Sequence, residues 1–435
     1  MSSTSPNRTV VKNWARDAFR SLQVRNYRLW AAGALVSNVG TWMQRIAQDW
    51  LVLTELTHKS ASAVGITTAL QFAPQLIFLP WTGLAADRFN QRKLLMATQG
   101  AMALLAAGLG LLTIFGAIRL WEVYIFAFLL GTAAAFDAPA RQTFVSELVG
   151  PRYLANAVAL NSMTFNGARM VGPAVAGVVI ATIGTGWAFL ANGASFVAVL
   201  LSLAFLRVDE LIPNERAPRK RGGFQEGLVY VWHRPDLRVA MLMLFFIGTF
   251  GMNFAIWIST MAVSVFHTGA HGYGGLSSAM AIGTVSGAFL ATQRDQPTIR
   301  HLLAGTAVFA VGCLAAMLSP GYWTFAASLV VIGVAVLSFL NASNALVQLT
   351  TEPHLRGRVM SIRLAITLGG TPIGAPLVGW AADTFGPRWS LAIGVAAGVA
   401  ASAVGATYLM RRREEKARVI PAIVRGDLVD REGPR

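Results

Sequence analysis

P-W-T-G-L-A-A-D-R-F-N-Q-R-K, Pro80 to Lys93, closes one apolar run and opens the next through a short, charge-dense turn. A chain reads this way where it leaves a bilayer and at once re-enters it, since only the residues between two spans can carry charge cheaply. Upstream and downstream the same layout recurs.

The composition explains why. At 54% hydrophobic and 13% charged residues over 435 positions, the chain is too apolar to cover a soluble surface with polar groups. A spanning helix needs about 20 mostly apolar residues. Such runs fall at 29–55, 60–86, 93–116, 120–142, 154–182, 185–206, 238–265, 274–292, 299–318, 321–347, 358–383 and 388–410. The reading is an all-α integral membrane protein of twelve helices. The divisions between the fourth and fifth, and between the tenth and eleventh, rest on short polar turns alone.

A net charge of +16 could point to nucleic acid, but the placement of the basic residues decides against it. Of 36 Lys and Arg, 31 fall on segments that share one side of the bilayer if the N-terminus is cytoplasmic. The other side keeps Lys59, Arg119 and Arg388, while Arg45 and Arg169 lie inside predicted helices. By the positive-inside rule both termini are cytoplasmic. Residues 1–28 are polar and basic with no apolar core, so the first helix is expected to act as its own insertion signal. The single Cys313 excludes a disulfide and a cysteine metal site.

The longest polar stretch divides the chain into a cytoplasmic segment 1–28, a six-helix bundle 29–206, a linker 207–237, a second bundle 238–410 and a tail 411–435. Within the linker, Leu228, Val229 and Trp232 have the spacing of a helix lying on the membrane surface, or of a plain connecting helix. An internal repeat ties the halves together. At a constant offset of 202 residues, Pro151 matches Pro353, Gly167 matches Gly369, Gly172 matches Gly374, Gly177 matches Gly379, Gly184 matches Gly386 and Trp187 matches Trp389. Two pseudo-symmetric, parallel six-helix bundles with a long cytoplasmic connector describe a transporter whose substrate site lies between the halves at mid-membrane depth.

On these residues the chain resembles the major facilitator superfamily. The turn around Gly83, Asp87, Arg88 and Arg92 is similar to that family's signature between the second and third helices, with Asn90 where a glycine is usual and Gln91 where a basic residue is usual. The resemblance implies that Asp87 accepts bonds from a neighbouring helix end or an arginine and so holds an inner gate shut. N-G-A-R-M-V-G-P-A-V-A-G, Asn166 to Gly177, resembles the glycine-proline signature of the antiporter branches, without the usual second terminal glycine. There Gly167, Gly172 and Gly177 would admit a neighbouring backbone and Pro173 would permit a kink. R-N-Y-R-L-W (Arg25 to Trp30), S-N-V-G-T-W-M-Q-R-I-A-Q-D-W-L-V-L (Ser37 to Leu53), F-D-A-P-A-R-Q-T-F-V (Phe136 to Val145) and A-L-N-S (Ala159 to Ser162) resemble the branch of siderophore and multidrug exporters. That branch implies a bacterial inner membrane protein.

Charges inside membrane helices mark function by default. Arg45 and Asp49 are four apart, on one face of the first helix, and able to pair. Arg169 on the fifth helix reaches a similar depth, so one cluster of the three is expected. Asp49 either exchanges protons under the influence of the arginines or forms a static pair with Arg45. Asp137, beside Pro139 and Arg141, is a gate or cap that could also carry protons, and Asp383 is expected to be a cap. Asn38, Gln48, Asn161, Asn166, Asn253, Asn341 and Asn344 could face a cavity or bond between helices, and Trp42 and Trp257 could wall it or anchor at the interface. Gln44, Gln348, Trp50, Phe136 and Phe254 belong to the same sets.

Catalytic readings have little to stand on. His267 and His271 lack a companion glutamate, and no phosphate-binding Gly-Lys-Ser/Thr loop is present. The sequence thus predicts a transporter with no metal and no cofactor, driven by the proton gradient. It would work as a monomer in the lipid bilayer, exporting a bulky amphipathic small molecule, with no nucleic-acid partner. A lipid flippase and a proton-coupled importer on the same fold are the competing readings.

Overall fold

The computed structural model describes residues 19–212, 224–292, 297–352 and 354–429, and the side chains of all of these except 80, 86, 87, 224, 291, 292 and 414–429. The segment up to residue 18, the linker stretch 213–223, Arg294, Pro353 and the last residues of the tail therefore lie outside the described part, as does the Asp87 side chain.

Among the described residues all regular structure is helical, as a bilayer demands of any chain whose backbone must satisfy its own hydrogen bonds. The first span is Arg25–Trp50, continued by a π-helical turn at Leu51–Leu56. The second is Ala61–Ile77 followed by Leu79–Arg88, and the third is Gln91–Ile114. The fourth and fifth share one continuous run, Leu120–Ile183, and the sixth is Thr185–Ala204. The surface helix Phe224–His233 precedes the seventh span, which passes through Pro235–Phe246, Ile247–Gly251, Phe254–Thr260 and Met261–Val265. Ala270–Thr292, Ile299–Met317, Tyr322–Thr350, Arg356–Phe385 and Pro387–Val429 supply the eighth to the twelfth.

Local chemistry sets the joints. The charged turn read from the sequence shrinks to Phe89 and Asn90: Gly83 and Arg88 sit in the helix before it and Arg92 in the helix after it. Asn90 caps the third span by accepting from the Lys93 amide at 3.0 Å, which gives its presence a physical sense. Arg92 Nε donates to the Leu203 carbonyl at 2.8 Å, so it answers an orphan carbonyl at the end of the sixth span. The fourth and fifth spans need no loop because Gly150, at φ 65° and ψ 179°, turns the chain in a single residue. In the second span the break at Phe78 falls directly before Pro80, which cannot donate back into the preceding turn.

The internal repeat is visible in the backbone. Gly184 and Gly386 end the fifth and eleventh spans at φ 96° and φ 99°, a region that favours glycine. Gly172 packs on Trp42 of the first span while Gly374 packs on Thr249 of the seventh. Gly177 packs on Ala270, at the start of the eighth span, and Gly379 on Ala61, at the start of the second. Each glycine of one half thus meets the span that its counterpart meets in the other. Gly167 departs from expectation: a Cβ placed there meets nothing within 4 Å, so it admits no neighbouring backbone.

The two halves meet along a seam formed by the second span against the eleventh and the fifth against the eighth. The spans' basic ends, carrying Arg25, Arg88, Arg92, Arg141 and Arg207, define one face of the molecule. Main-chain approaches across the seam lie in the half away from it, and one side-chain contact, Leu76 at 2.9 Å from a Cβ on Gly369, reaches further in. A Cβ on Gly65 would reach the Ala375 carbonyl at 2.5 Å, one on Gly379 the Ala61 carbonyl at 2.5 Å, and one on Gly274 the Pro173 carbonyl at 2.6 Å. Toward the basic face, Gly83 and Gly167 are open and Met163 and Phe165 are exposed. The halves are closed at the opposite face and parted at the basic one.

Within the second half, Gly283 lies against the Val330 main chain, with no flexible side chain there to yield. Gly283→Leu should lower the thermal unfolding midpoint of the purified protein by the equivalent of about 1–3 kcal/mol of overpacking. Gly83→Ala, in open space, should leave it nearly unchanged.

Candidate transport site

Asp49 lies in the last turn of the first span and is 5% exposed. A carboxylate so deep requires a donor, and the donor comes from the other half: Tyr273 Oη donates to Asp49 Oδ2 at 3.1 Å. Tyr273 is wholly buried, and its ring stacks on Trp50 at 6.3 Å and 20°. The structure brings Asp49 and Arg45 into one region but forms no ion pair between them, contrary to the pairing expected from their spacing.

Arg45 turns instead toward aromatic rings. Its guanidinium carbon lies 4.8 Å from the Trp42 ring centre and 5.4 Å from that of Phe72. Arg169 reaches the same Trp42 ring at 5.2 Å. Such contacts offset part of the desolvation of each cation, by about 0.5–2 kcal/mol, and leave the guanidinium donors facing no carboxylate. Phe165 completes the aromatic wall at 5.8 Å from Trp42. Arg45 and Arg169 are both half-buried.

The depth of this cluster follows from the seam. Ser278 Oγ donates to the carbonyl of Met170, the residue after Arg169, at 3.4 Å. That contact between the fifth and eighth spans lies beside Arg169, one turn inward of the main-chain approach of Gly274 to Pro173. Polar atoms without partners gather in the same layer. Both amide atoms of buried Gln48 are unsatisfied, as are Trp42 Nε1 and, on the seventh span, Asn253 Oδ1. Asn253 Nδ2 answers the Thr249 and Phe250 carbonyls at 3.0 and 3.2 Å where that span is broken.

The other expected residues divide. Asn38, Asn161, Asn341 and Asn344 are half-buried, and Asn166 bonds back to Ser162 of its own helix at 2.8 Å. Trp257 is wholly buried and donates to the Ser390 carbonyl at 3.0 Å, so it belongs to the packed interior of the second half and walls no cavity. Asp137 sits apart from the arginine cluster. It accepts from Thr98 at 2.9 Å, Gln99 at 2.7 Å and Arg141 at 3.0 Å, which ties the third span to the fourth. Arg88 lines an apolar cavity of about 400 Å³ with Phe78, Trp81, Leu84, Ala85, Phe89 and Phe136.

Asp383 is a cap, but of a helix in the other half. Its carboxylate accepts from Ser60 Oγ at 3.0 Å and from the Ala61 and Ser62 amides at 2.6 and 2.9 Å. These amides open the second span, where the helix dipole also favours an anion. Sequence reasoning missed Tyr273 and this cross-seam role of Asp383; the glycine-flanked G-Y-G-G of the eighth span was the one available sign of close packing there.

A family model described as transmembrane secretion effector matches residues 17–432. The staphyloferrin A transporter of Staphylococcus aureus is 35% identical over 167 residues, 38% of this chain and 42% of that protein. The multidrug efflux pump Tap of Mycolicibacterium fortuitum is 26% identical over 372 residues, 81% of this chain and 88% of the pump. Among solved structures, a bacterial homolog of the human lysosomal transporter Spinster, inward-facing and unoccupied, superposes with a TM-score of 0.72 at 16% identity, covering 88% of this chain and 98% of that one.

Replacing Asp383 by Ala should remove about 1–2 kcal/mol of cap stabilisation from the seam at the face away from the basic ends. Spin labels at Lys59→Cys and Trp389→Cys, on a Cys313→Ala background, should report longer distances in that variant.

Proposed function

The chain belongs to the transmembrane secretion effector family of the major facilitator superfamily, and from that membership we propose that it is a proton-coupled antiporter exporting bulky amphipathic small molecules such as siderophores or drugs. The relatives above, a siderophore transporter and a multidrug pump, support the cargo class. The observation that carries the coupling is the Asp49 carboxylate, buried at the seam and bonded to Tyr273 of the opposite half.

In this reading the basic face is cytoplasmic and the structure is open toward it. Cargo enters between the halves and settles at the arginine-aromatic layer. Opening of the far face withdraws Tyr273 from Asp49, and a carboxylate that has lost its donor accepts a proton from outside far more readily than one held by it. The reverse movement brings Tyr273 back, and the proton leaves on the cytoplasmic side. Protonation of one buried group biases a two-position element, and the gradient supplies the difference in free energy between the two positions.

The test is efflux from energised cells or inverted vesicles of a dye panel that includes cationic, neutral and anionic amphipaths. Extrusion of at least one dye should collapse with a protonophore and fall by roughly a hundredfold in Asp49→Asn, on the scale of losing one essential proton carrier. Extrusion that survives both treatments would remove the coupling from this residue.

A further inference from the structure

We infer that Arg45 and Arg169, set on the Trp42 ring, are the binding site for a carboxylate carried by the cargo. The inference rests on the exporter reading and narrows its substrate class to amphipathic anions.

A guanidinium stays protonated in proteins, and two of them meet one indole here at 4.8 and 5.2 Å. Like charges held together away from bulk water repel, so the arrangement is unfavourable until an anion joins it. The nearest acid of the described residues is committed elsewhere, since Asp49 accepts from Tyr273. Asp137 is taken up by Thr98, Gln99 and Arg141. A layer with two cations and no carboxylate paired to either is built for a ligand that brings one. The guanidinium fork matches a carboxylate in plane and spacing, while Trp42, Phe72 and Phe165 offer an apolar surface to the body of the same molecule.

The position of Asp49 adds a release step. It stands one helical turn from Arg45 on the same face of the first span. While Tyr273 holds it, Arg45 is available to cargo. When the far face opens and Tyr273 leaves, the freed carboxylate, still ionised, pairs with Arg45 and displaces the cargo anion toward the exit, and it takes up its proton only once Arg45 has let it go.

The experiment is equilibrium binding to the full-length protein in nanodiscs of zwitterionic lipid, with no gradient imposed. The probe is dansyl-undecanoic acid, compared with its primary amide and with a dansylated alkylamine of equal length. The carboxylate should bind roughly ten- to a hundredfold more tightly than the amide, the scale of one charge-assisted bond, and the amine more weakly still. Arg45→Gln and Arg169→Gln should each reduce that preference to about twofold, whereas Arg169→Lys should keep part of it, so a failure of the Gln variants to fold leaves the question decidable. Tyr273→Phe, which frees Asp49, should weaken the carboxylate probe and spare the amide. Equal binding of acid and amide, or a preference indifferent to both arginines, would overturn the inference. So would displacement by lysophosphatidic acid without any preference for the carboxylate, which would reassign the site to a lipid phosphate. Because no gradient is used, proton-driven efflux of dyes with no carboxylate preference would sink this inference alone, and carboxylate binding without driven efflux would sink the exporter reading alone.

Discussion

A hydrocarbon environment supplies no hydrogen-bond partners, so every polar group at membrane depth must be answered from within the protein. This single constraint arranges the molecule. It makes all regular structure among the described residues helical, and it forces the breaks in the helices to lie where a side chain can serve them. Asn253 answers two carbonyls at the break in the seventh span. It also explains why the few ionised side chains are so informative: each has been retained against a standing cost.

The same constraint separates the acids by role. Asp137 is saturated by three donors inside one half and holds two spans together. Asp383 and Asp49 are instead satisfied across the seam, so their partners are present only while the halves touch at the face away from the basic ends. A bond made within a rigid bundle adds stability to every state alike. In the proposed cycle, one made between bundles adds it to a single state, and such bonds bias which way the molecule opens.

The span pattern and the repeat were legible in the sequence because hydropathy and glycine spacing are local or strictly periodic quantities. The matching φ values of Gly184 and Gly386 show how far the repeat extends, down to the backbone. What was not legible depends on distant partners. Spacing correctly placed Arg45 and Asp49 on one face, yet Tyr273, 224 residues away, takes the carboxylate and aromatic rings take the guanidinium. Gly167 fits its motif but stands in the parted half of the molecule, where nothing approaches it. Asp383 was recognisable as a cap, but no sequence rule says which helix it caps. The break in the seventh span has no proline to announce it, since it arises where Gly370 and Gly374 press the eleventh span against Thr249.

At the closed face the tightest approaches across the seam are main chain against main chain, with glycines at Gly65, Gly177, Gly274 and Gly379. Side chains can compress, swing aside or slide, but peptide backbones in mutual contact can only touch or part. A gate of this construction has no half-open width: a gap too narrow for water gains nothing, and one wide enough for water has already broken the whole line. In the proposed cycle the molecule should therefore pass between its two positions abruptly and dwell at the ends. In the proposed cycle small ions should then find no continuous wet path through the protein, and the membrane it sits in should stay electrically tight as the cycle turns.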